Sequence, residues 1–255
     1  MLFVITGCED RVDLEVDFAG ENILIVDAVL TTEVKNQEIV LSQMKKSPND
    51  STTYVSGALV QVSAEDRSVK FFESDSMPGH YYSEIPFGAS ANATHLLTIQ
   101  LGEQEYRAVA RLGPLYERNT LNVRRADTAG NYFVVPPDAF NPAEAAMYEI
   151  SIDDPRTSKP VDSRFYYYTL TSIDISQVLS GSQPRVTFAD NVTLTQRKYG
   201  LSTAHEEFIR TMLLETRWRG NAFDVESTNV YSNLSAGARG IFALSAVYEA
   251  EIEFK

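Results

Sequence analysis

The chain has 255 residues, 44% of them hydrophobic, and a formal net charge of −13, so it suits one large domain or two smaller ones with a sizeable core. The acidic balance repels phosphate backbones and no basic stripe offsets it, which argues against nucleic-acid binding. No run approaches the ~18 apolar residues that span a bilayer, and a single cysteine allows neither an internal disulfide nor a CxxC metal or redox site.

The first feature along the chain is a lipobox, Ile5-Thr6-Gly7-Cys8, which follows a short apolar run. It predicts that residues 1–7 are the remnant of a signal peptide, that Cys8 is lipidated, and that residues 8–20 form a polar tether. A signal peptide normally has a basic segment and about 7–15 apolar residues, so we expect translation to start further upstream. The alternative is an N-terminal strand in which Cys8 is a small buried hydrophobe.

Residues 21–112 are predicted to form an immunoglobulin-like β-sandwich. Short runs rich in β-branched residues, such as Ile23 to Val26, alternate with turns at Pro78-Gly79 and Gly102. Strands with turns every ~8–15 residues are typical of a sandwich. The fold class predicted for the whole chain is therefore mainly β.

Residues 113–255 are predicted to form a second β-rich region with one amphipathic helix near 203–217. Thr203 is the expected N-cap and Glu206 would complete a capping box. The chain ends in a regular period-two pattern from Phe242 to Phe254, which predicts one long strand, buried on one face and paired on both sides.

The sequence predicts no set of catalytic residues, no metal site and no cofactor other than the lipid on Cys8. The histidines, His80, His95 and His205, are far apart and lack an HxH or HExxH pattern, so we expect them at the surface. Neither a P-loop nor a GxSxG elbow is present. The candidate ligand-binding residues are aromatic, because exposed tyrosines and tryptophans can stack on sugars or bind peptides: Tyr166, Tyr168 and Trp218. The alternative is that these side chains are structural, with Tyr167 on the opposite face.

The order of several segments resembles a family of Bacteroidota-type outer-membrane lipoproteins, catalogued as domain of unknown function 4249. The resemblance covers nearly the whole chain and depends on these pieces: Gly7-Cys8-Glu9, Ile23 to Thr31, Val55 to Val62, Pro78 to Tyr81, Tyr106 to Ala108, Asp153 to Pro155, Phe165 to Tyr168, and Asn229 to Asn233. It implies an N-terminal immunoglobulin-like sandwich and genes placed beside TonB-dependent receptors. It carries over no catalytic residues.

The resemblance also implies that Glu9-Asp10, directly after the cysteine, directs export to the outer face of the outer membrane, although a simple solvated tether explains them equally well. The leading hypothesis is thus a lipid-anchored, outward-facing, non-enzymatic accessory or binding subunit of a TonB-dependent uptake system. A structural or adhesive surface protein is the second hypothesis, and a hydrolase with a site built from scattered residues is the third.

Overall fold

The computed structural model describes residues 23–254, apart from 46, 48, 66, 128–129, 157–163, 175–176, 178–182 and 218–228. Most of the secondary structure in these residues is strand, and a helix, α1 (Thr203–Thr216), lies between β14 (Val192–Gly200) and β15 (Ala238–Ser245) in the chain. The predicted mainly β fold class is confirmed. Cys8, the tether and Trp218 lie outside the described residues, so the predictions made for them remain predictions.

Nine strands form the larger sheet. In sheet order they are β7 (Gln104–Ala110), β6 (His95–Leu101), β3 (Leu59–Ala64), β4 (Arg67–Glu73), β5 (His80–Ser83), β2 (Glu38–Gln43), β1 (Leu24–Thr31), β15 (Ala238–Ser245) and β8 (Leu112–Gly113). Neighbours are antiparallel except at β1–β15 and β15–β8, which are parallel. Since hydrogen bonds join all nine strands in one sheet, the two-sheet division of an immunoglobulin-like sandwich is not confirmed.

A short segment around Asn233 joins β7, at one end of the larger sheet, to β15, the second strand from the other end. The Asn233 amide donates to the carbonyls of Val109 on β7 (3.1 Å) and Phe242 on β15 (2.8 Å), and accepts from the Phe242 N–H (3.0 Å). The Ser235 N–H donates to the Arg107 carbonyl at 2.9 Å. These bonds occupy backbone groups that would otherwise form open strand edges, so the sheet nearly closes on itself.

The core of the larger sheet follows from strict alternation along its strands. Leu24, Val26, Ala28 and Leu30 of β1 are at most 2% exposed and point inward, whereas Asp27 between them points outward to solvent. The same period of two holds on β2, β3 and β6. Side chains of one face therefore fill the interior, and the other face remains available for contacts.

The predicted long C-terminal strand is two strands, which meet at Ala246. The first, β15, is paired on both sides within the larger sheet, but the second, β16 (Val247–Phe254), pairs only with β14 and forms a sheet edge. Period-two patterning does not show this break, because apolar residues recur at every second position through both strands, although residues 241–245 of β15 are buried on both faces. Residues 238–245 thus join the sheet that also contains β1, while the predicted boundary near residue 112 stays a prediction.

A second, smaller layer contains two sheets. The four-stranded sheet has the order β12 (Arg164–Thr169), β11 (Ala146–Asp153), β14 (Val192–Gly200) and β16, and the three-stranded sheet has the order β13 (Thr187–Ala189), β10 (Asn131–Val134) and β9 (Val123–Arg125). Apolar side chains from both sheets share one core, in which the rings of Tyr132, Phe188 and Phe254 lie 5.0–6.0 Å apart. That spacing is typical of favourable aromatic pairs.

The helix α1 lies between the larger sheet and the four-stranded sheet. Its side chains Ile209 and Leu213 pack with Leu170 and Leu201 in a separate buried cluster, and the helix also contacts β15. The predicted helix is confirmed, but its N-cap is Ser202 rather than Thr203. Ser202 has extended backbone angles and its hydroxyl accepts from the His205 N–H at 3.4 Å. Since Thr203 is already helical, the predicted capping box is not formed.

Candidate functional site

A large opening lies where the larger sheet meets the start of α1, and we name it the junction cleft. Its volume is about 570 Å³, within the range of small-molecule sites. Tyr116 and Val109, 72% and 54% exposed, line its walls. About half of the other lining residues are apolar, and the polar ones are Arg111, Glu144, Thr171, Ser202, Thr203 and Glu206.

Two glycines, Gly113 and Gly200, allow a close backbone contact beside the junction cleft, and their chain neighbours Leu112, Pro114 and Leu201 line it. A Cβ on Gly113 of β8 would lie 2.4 Å from the Gly200 carbonyl oxygen, and one on Gly200 would lie 2.1 Å from the Pro114 oxygen. Ala246 bonds to both strands, through its carbonyl to Gly200 (2.9 Å) and its N–H to Gly113 (3.0 Å). Side chains at either glycine would force the larger sheet and β14 apart.

A buried ion pair supports one wall of the junction cleft. The Lys198 ammonium and the Glu144 carboxylate are 3.1 Å apart, and their side chains are 1% and 4% exposed. Lys198 also donates to the Glu117 carbonyl (2.9 Å) and to Asn119 Oδ1 (3.2 Å), while Glu144 accepts the Tyr116 N–H (2.9 Å). All three donor positions of the ammonium are therefore used, which offsets the cost of burying the charge.

Gln196, two residues before Lys198 on the same face of β14, also supports this wall. Its side chain is fully buried, accepts from the Leu121 N–H (2.6 Å) and donates to the Asn119 carbonyl (3.0 Å). The nearby Tyr148 ring lies under the Lys198 ammonium at 5.4 Å. Burial, aided by the Glu144 charge, raises the pKa of Tyr148 to about 12, so its hydroxyl stays neutral. The loop after Pro114 is thus held by buried polar groups of β14.

The first turn of α1 forms the opposite wall of the junction cleft. Glu206 accepts hydrogen bonds from the Thr171 hydroxyl at 2.7 and 2.9 Å and from the Thr171 N–H at 2.5 Å. Because the carboxylate is used in this way, it orients the wall instead of capping the helix. The hydroxyls of Ser202 and Thr203 also line the opening, where they can serve as hydrogen-bond partners for a ligand.

Two of the three histidines are buried, contrary to the prediction of surface positions. His205 and His95 are each 3% exposed, and the Nδ1 atom of each has no hydrogen-bond partner in the described part of the chain. Burial lowers the pKa of His205 to about 4, and it also lowers the pKa of His95. Both side chains are therefore neutral at physiological pH. His205 is the third residue of α1 and its side chain faces inward. The helical spacing of the apolar residues did not indicate that this side chain is buried.

The predicted ligand-binding tyrosines lie away from the junction cleft, on the face of the four-stranded sheet opposite the core that it shares with the three-stranded sheet. Tyr166 is 37% exposed and lies opposite Glu149 of β11, while Tyr168 is half-buried against the core beside α1. Burial raises the pKa of Tyr168. Tyr167 is 1% exposed in the core of the smaller layer, as the alternation predicted. That Tyr166 and Tyr168 bind a ligand remains a prediction.

Charged side chains of the neighbouring strands share this face with Tyr166. Arg197 of β14 forms ion pairs with Glu33, from the loop after β1, and with Glu249 at 3.6 Å. Burial opposes ionisation of Glu33, but a hydrogen bond from Lys35 and the Arg197 charge outweigh it and lower the pKa of Glu33. The Glu33–Arg197 contact joins the larger sheet to the four-stranded sheet.

Sequence reasoning missed the Lys198–Glu144 pair. The only signal was the position of Lys198 in an otherwise inward-facing row with Val192 and Leu194. Glu144 lies in a loop, where nothing distinguishes a buried carboxylate from a solvated one.

The described residues contain no group of three or more His, Cys, Asp or Glu side chains that could hold a metal ion. In the same part of the chain, no helix has the length and apolar character needed to cross a membrane.

Comparison with known proteins gives a family for the chain and nothing finer. No curated protein matches it. A family model described as "Domain of unknown function (DUF4249)" matches residues 9–251. This range includes the larger sheet, α1 and every residue that lines the junction cleft. Since the match covers nearly the whole sequence, the chain belongs to the DUF4249 family.

Proposed function

We propose that the protein is a lipid-anchored, outward-facing outer-membrane protein that acts as a non-enzymatic binding subunit of a TonB-dependent uptake system. The observation that carries the binding role is the junction cleft, an opening of about 570 Å³ with mainly apolar walls and a few fixed polar groups. Such a composition is typical of sites that bind a small molecule. The receptor partnership rests on the family resemblance, which is an associational argument.

The groups of the cleft suit recognition. Both carboxylates that line it are engaged, Glu144 with Lys198 and Glu206 with Thr171. They therefore fix the shape of the walls and are not free to act as a base. Tyr116 offers an exposed ring at the opening, and an aromatic side chain of this kind binds sugars or apolar groups with little loss of conformational freedom.

Attachment through Cys8 is compatible with the position of the first strand. β1 begins at Leu24, so the tether and the residues between it and β1, about 16 residues in all, would span at most about 55 Å. That reach lets the folded body stand clear of the lipid surface. A bacterial lipoprotein cysteine carries more than one acyl chain, which is what stable anchoring requires.

Anchoring and partnership are tested on protein from native membranes. Cells fed labelled palmitate should incorporate label into the wild-type protein but not into the Cys8→Ala variant. Mild detergent extraction should then recover a TonB-dependent receptor with the wild-type protein. Absence of label would refute the anchor, and labelled protein that brings down no receptor would refute the partnership.

Binding at the cleft is tested separately, with glycan and peptide arrays. Tyr116→Ala keeps the backbone N–H that bonds to Glu144, so the cleft wall should remain in place. We expect it to abolish an array signal that Tyr166→Ala retains. The reverse pattern would place the site on the four-stranded sheet and overturn the assignment to the junction cleft.

A further inference from the structure

A second opening lies on the outer face of the larger sheet, and we name it the acidic cleft. Its volume is about 310 Å³ and its lining includes Asp27 of β1, Glu38 of β2 and Tyr82 of β5. These strands are neighbours, and Glu38 lies directly opposite Tyr82 in the antiparallel register. The size suits one ligand head group better than a drug-sized molecule.

Asp27 is a carboxylate without a described partner. Among the described residues, none donates a hydrogen bond to it or forms an ion pair with it. Its side chain is open to solvent, yet protein atoms surround it on the concave face of the cleft. This partial desolvation and the nearby Glu38 charge raise the pKa of Asp27. A positive group in the cleft would relieve both effects.

Glu38 is held in a fixed position next to Asp27. Its Oε1 atom accepts the Tyr82 hydroxyl at 2.8 Å and lies 2.7 Å from His80 Nδ1. The His80 ring lies 5.2 Å from the ring of Tyr54. Carboxylates beside accessible aromatic rings are the combination that recognises ammonium and guanidinium groups, by charge-assisted hydrogen bonds and cation–π contact.

The one cation among the residues that line the cleft does not neutralise it. Lys35 forms an ion pair with Glu33 at 3.0 Å, and Glu33 also forms an ion pair with Arg197. Asp27 therefore faces the opening with no ion-pair partner among the described residues, whereas Glu38, which also faces it, lies within ion-pair distance of His80 at 2.7 Å. The whole chain has a net charge of −13. An acidic molecule of this kind attracts cations over a distance and repels anions.

We propose that the acidic cleft binds an organic cation, an ammonium or guanidinium group held between Asp27 and Glu38 and covered by the ring of Tyr82. A metal ion fits less well, since the described residues offer no cluster of three His, Cys, Asp or Glu ligands. The proposal concerns a different opening from the junction cleft, so it stands whether or not the protein is anchored or meets a receptor.

The test compares cationic probes on the full chain and on two variants. Asp27→Asn keeps the shape of the side chain and removes its charge. Glu251→Gln is the matched control, because it makes the same charge change at an exposed position on the edge strand β16. The probes are a labelled tetra-arginine peptide, spermidine as its competitor, and a labelled tetraglutamate peptide as the anionic control. Binding is followed by fluorescence anisotropy at two salt concentrations.

We expect the tetra-arginine peptide to bind and the tetraglutamate peptide not to bind. Asp27→Asn should weaken binding at least tenfold while Glu251→Gln leaves it within about twofold, and Glu38→Gln provides a further variant that should act like Asp27→Asn. Competition by spermidine would assign a general cation site, and its failure a guanidinium site. Equal loss in the Asp27→Asn and Glu251→Gln variants, or no binding of either cation, would overturn the proposal.

Discussion

Replacement of Lys198 by Met should be among the most destabilising single changes at the junction cleft. The side chain is 1% exposed and its ammonium makes bonds of 2.9, 3.1 and 3.2 Å. Met fills a similar volume, so the main cost is the carboxylate of Glu144, which is left charged and 4% exposed. Breaking a buried pair by removing one partner costs about 3–5 kcal/mol. For a chain of this size, that is a fall in Tm of roughly 6–20 °C.

The double variant Lys198→Met/Glu144→Gln separates the buried charge from the lost packing. The amide that replaces the Glu144 carboxylate keeps an acceptor for the Tyr116 N–H but carries no charge, so we expect it to restore about 2 kcal/mol or more of the loss. The assay is equilibrium urea unfolding at pH 7, with the midpoints compared at equal m-values. A single-variant cost below about 1 kcal/mol, or a double variant no more stable than the single, would refute the view that this pair supports the cleft wall.

Three further predictions concern other sites. Asp27→Asn should raise the urea midpoint at pH 7, because the pKa of Asp27 is raised in the folded state, which therefore favours the protonated, neutral form. This gain in stability should vanish below pH 3.8, the ordinary pKa of an aspartate, where Asp27 is neutral in both the folded and the unfolded state. The wild-type protein should lose about 3 kcal/mol of stability as pH falls from 6.5 to about 4, since only the unfolded state protonates His205 in that range. The His205→Leu variant should not show this loss. A stability profile with the same slope in both proteins would contradict it. Gly240→Ala should cost about 3 kcal/mol or more, because φ is +108° and a Cβ would lie 2.0 Å from the Val26 oxygen. Gly102→Ala, with φ +60° and open space around it, is the control and should cost only about 1–2 kcal/mol in thermal unfolding.

The β elements were predictable because each strand carries its own alternation. Val60 and Val62 are 3% exposed and Leu59 is 74% exposed, as a period of two requires. What the alternation cannot supply is the partner of each strand. Nothing local in residues 238–245 indicates that they pair in parallel with β1, more than 200 residues away. That pairing depends on Gly240, which accepts the close approach of Val26.

The candidate sites were not predictable for a related reason. The tyrosine run drew attention to Tyr166 and Tyr168 because their spacing in sequence was unusual. The two clefts are instead assembled from residues that are ordinary in sequence and become close only through the topology, such as Asp27 with Tyr82, or Tyr116 with Ser202. Local motifs identify sites built on one segment, and neither opening here is of that kind.

The geometry of β1 relates the two clefts to the proposed anchor. The chain enters β1 at Leu24, and the opposite end at Thr31 is paired with Ser245, which in turn pairs with Gly113 beside the junction cleft. The strand length of about 23 Å therefore separates the tether end from the junction cleft, and Asp27 lies midway. In the proposed anchored protein, the tether would therefore join the body at the end of β1 that is farther from the junction cleft, so the attachment point would not obstruct the entry of a ligand into that cleft.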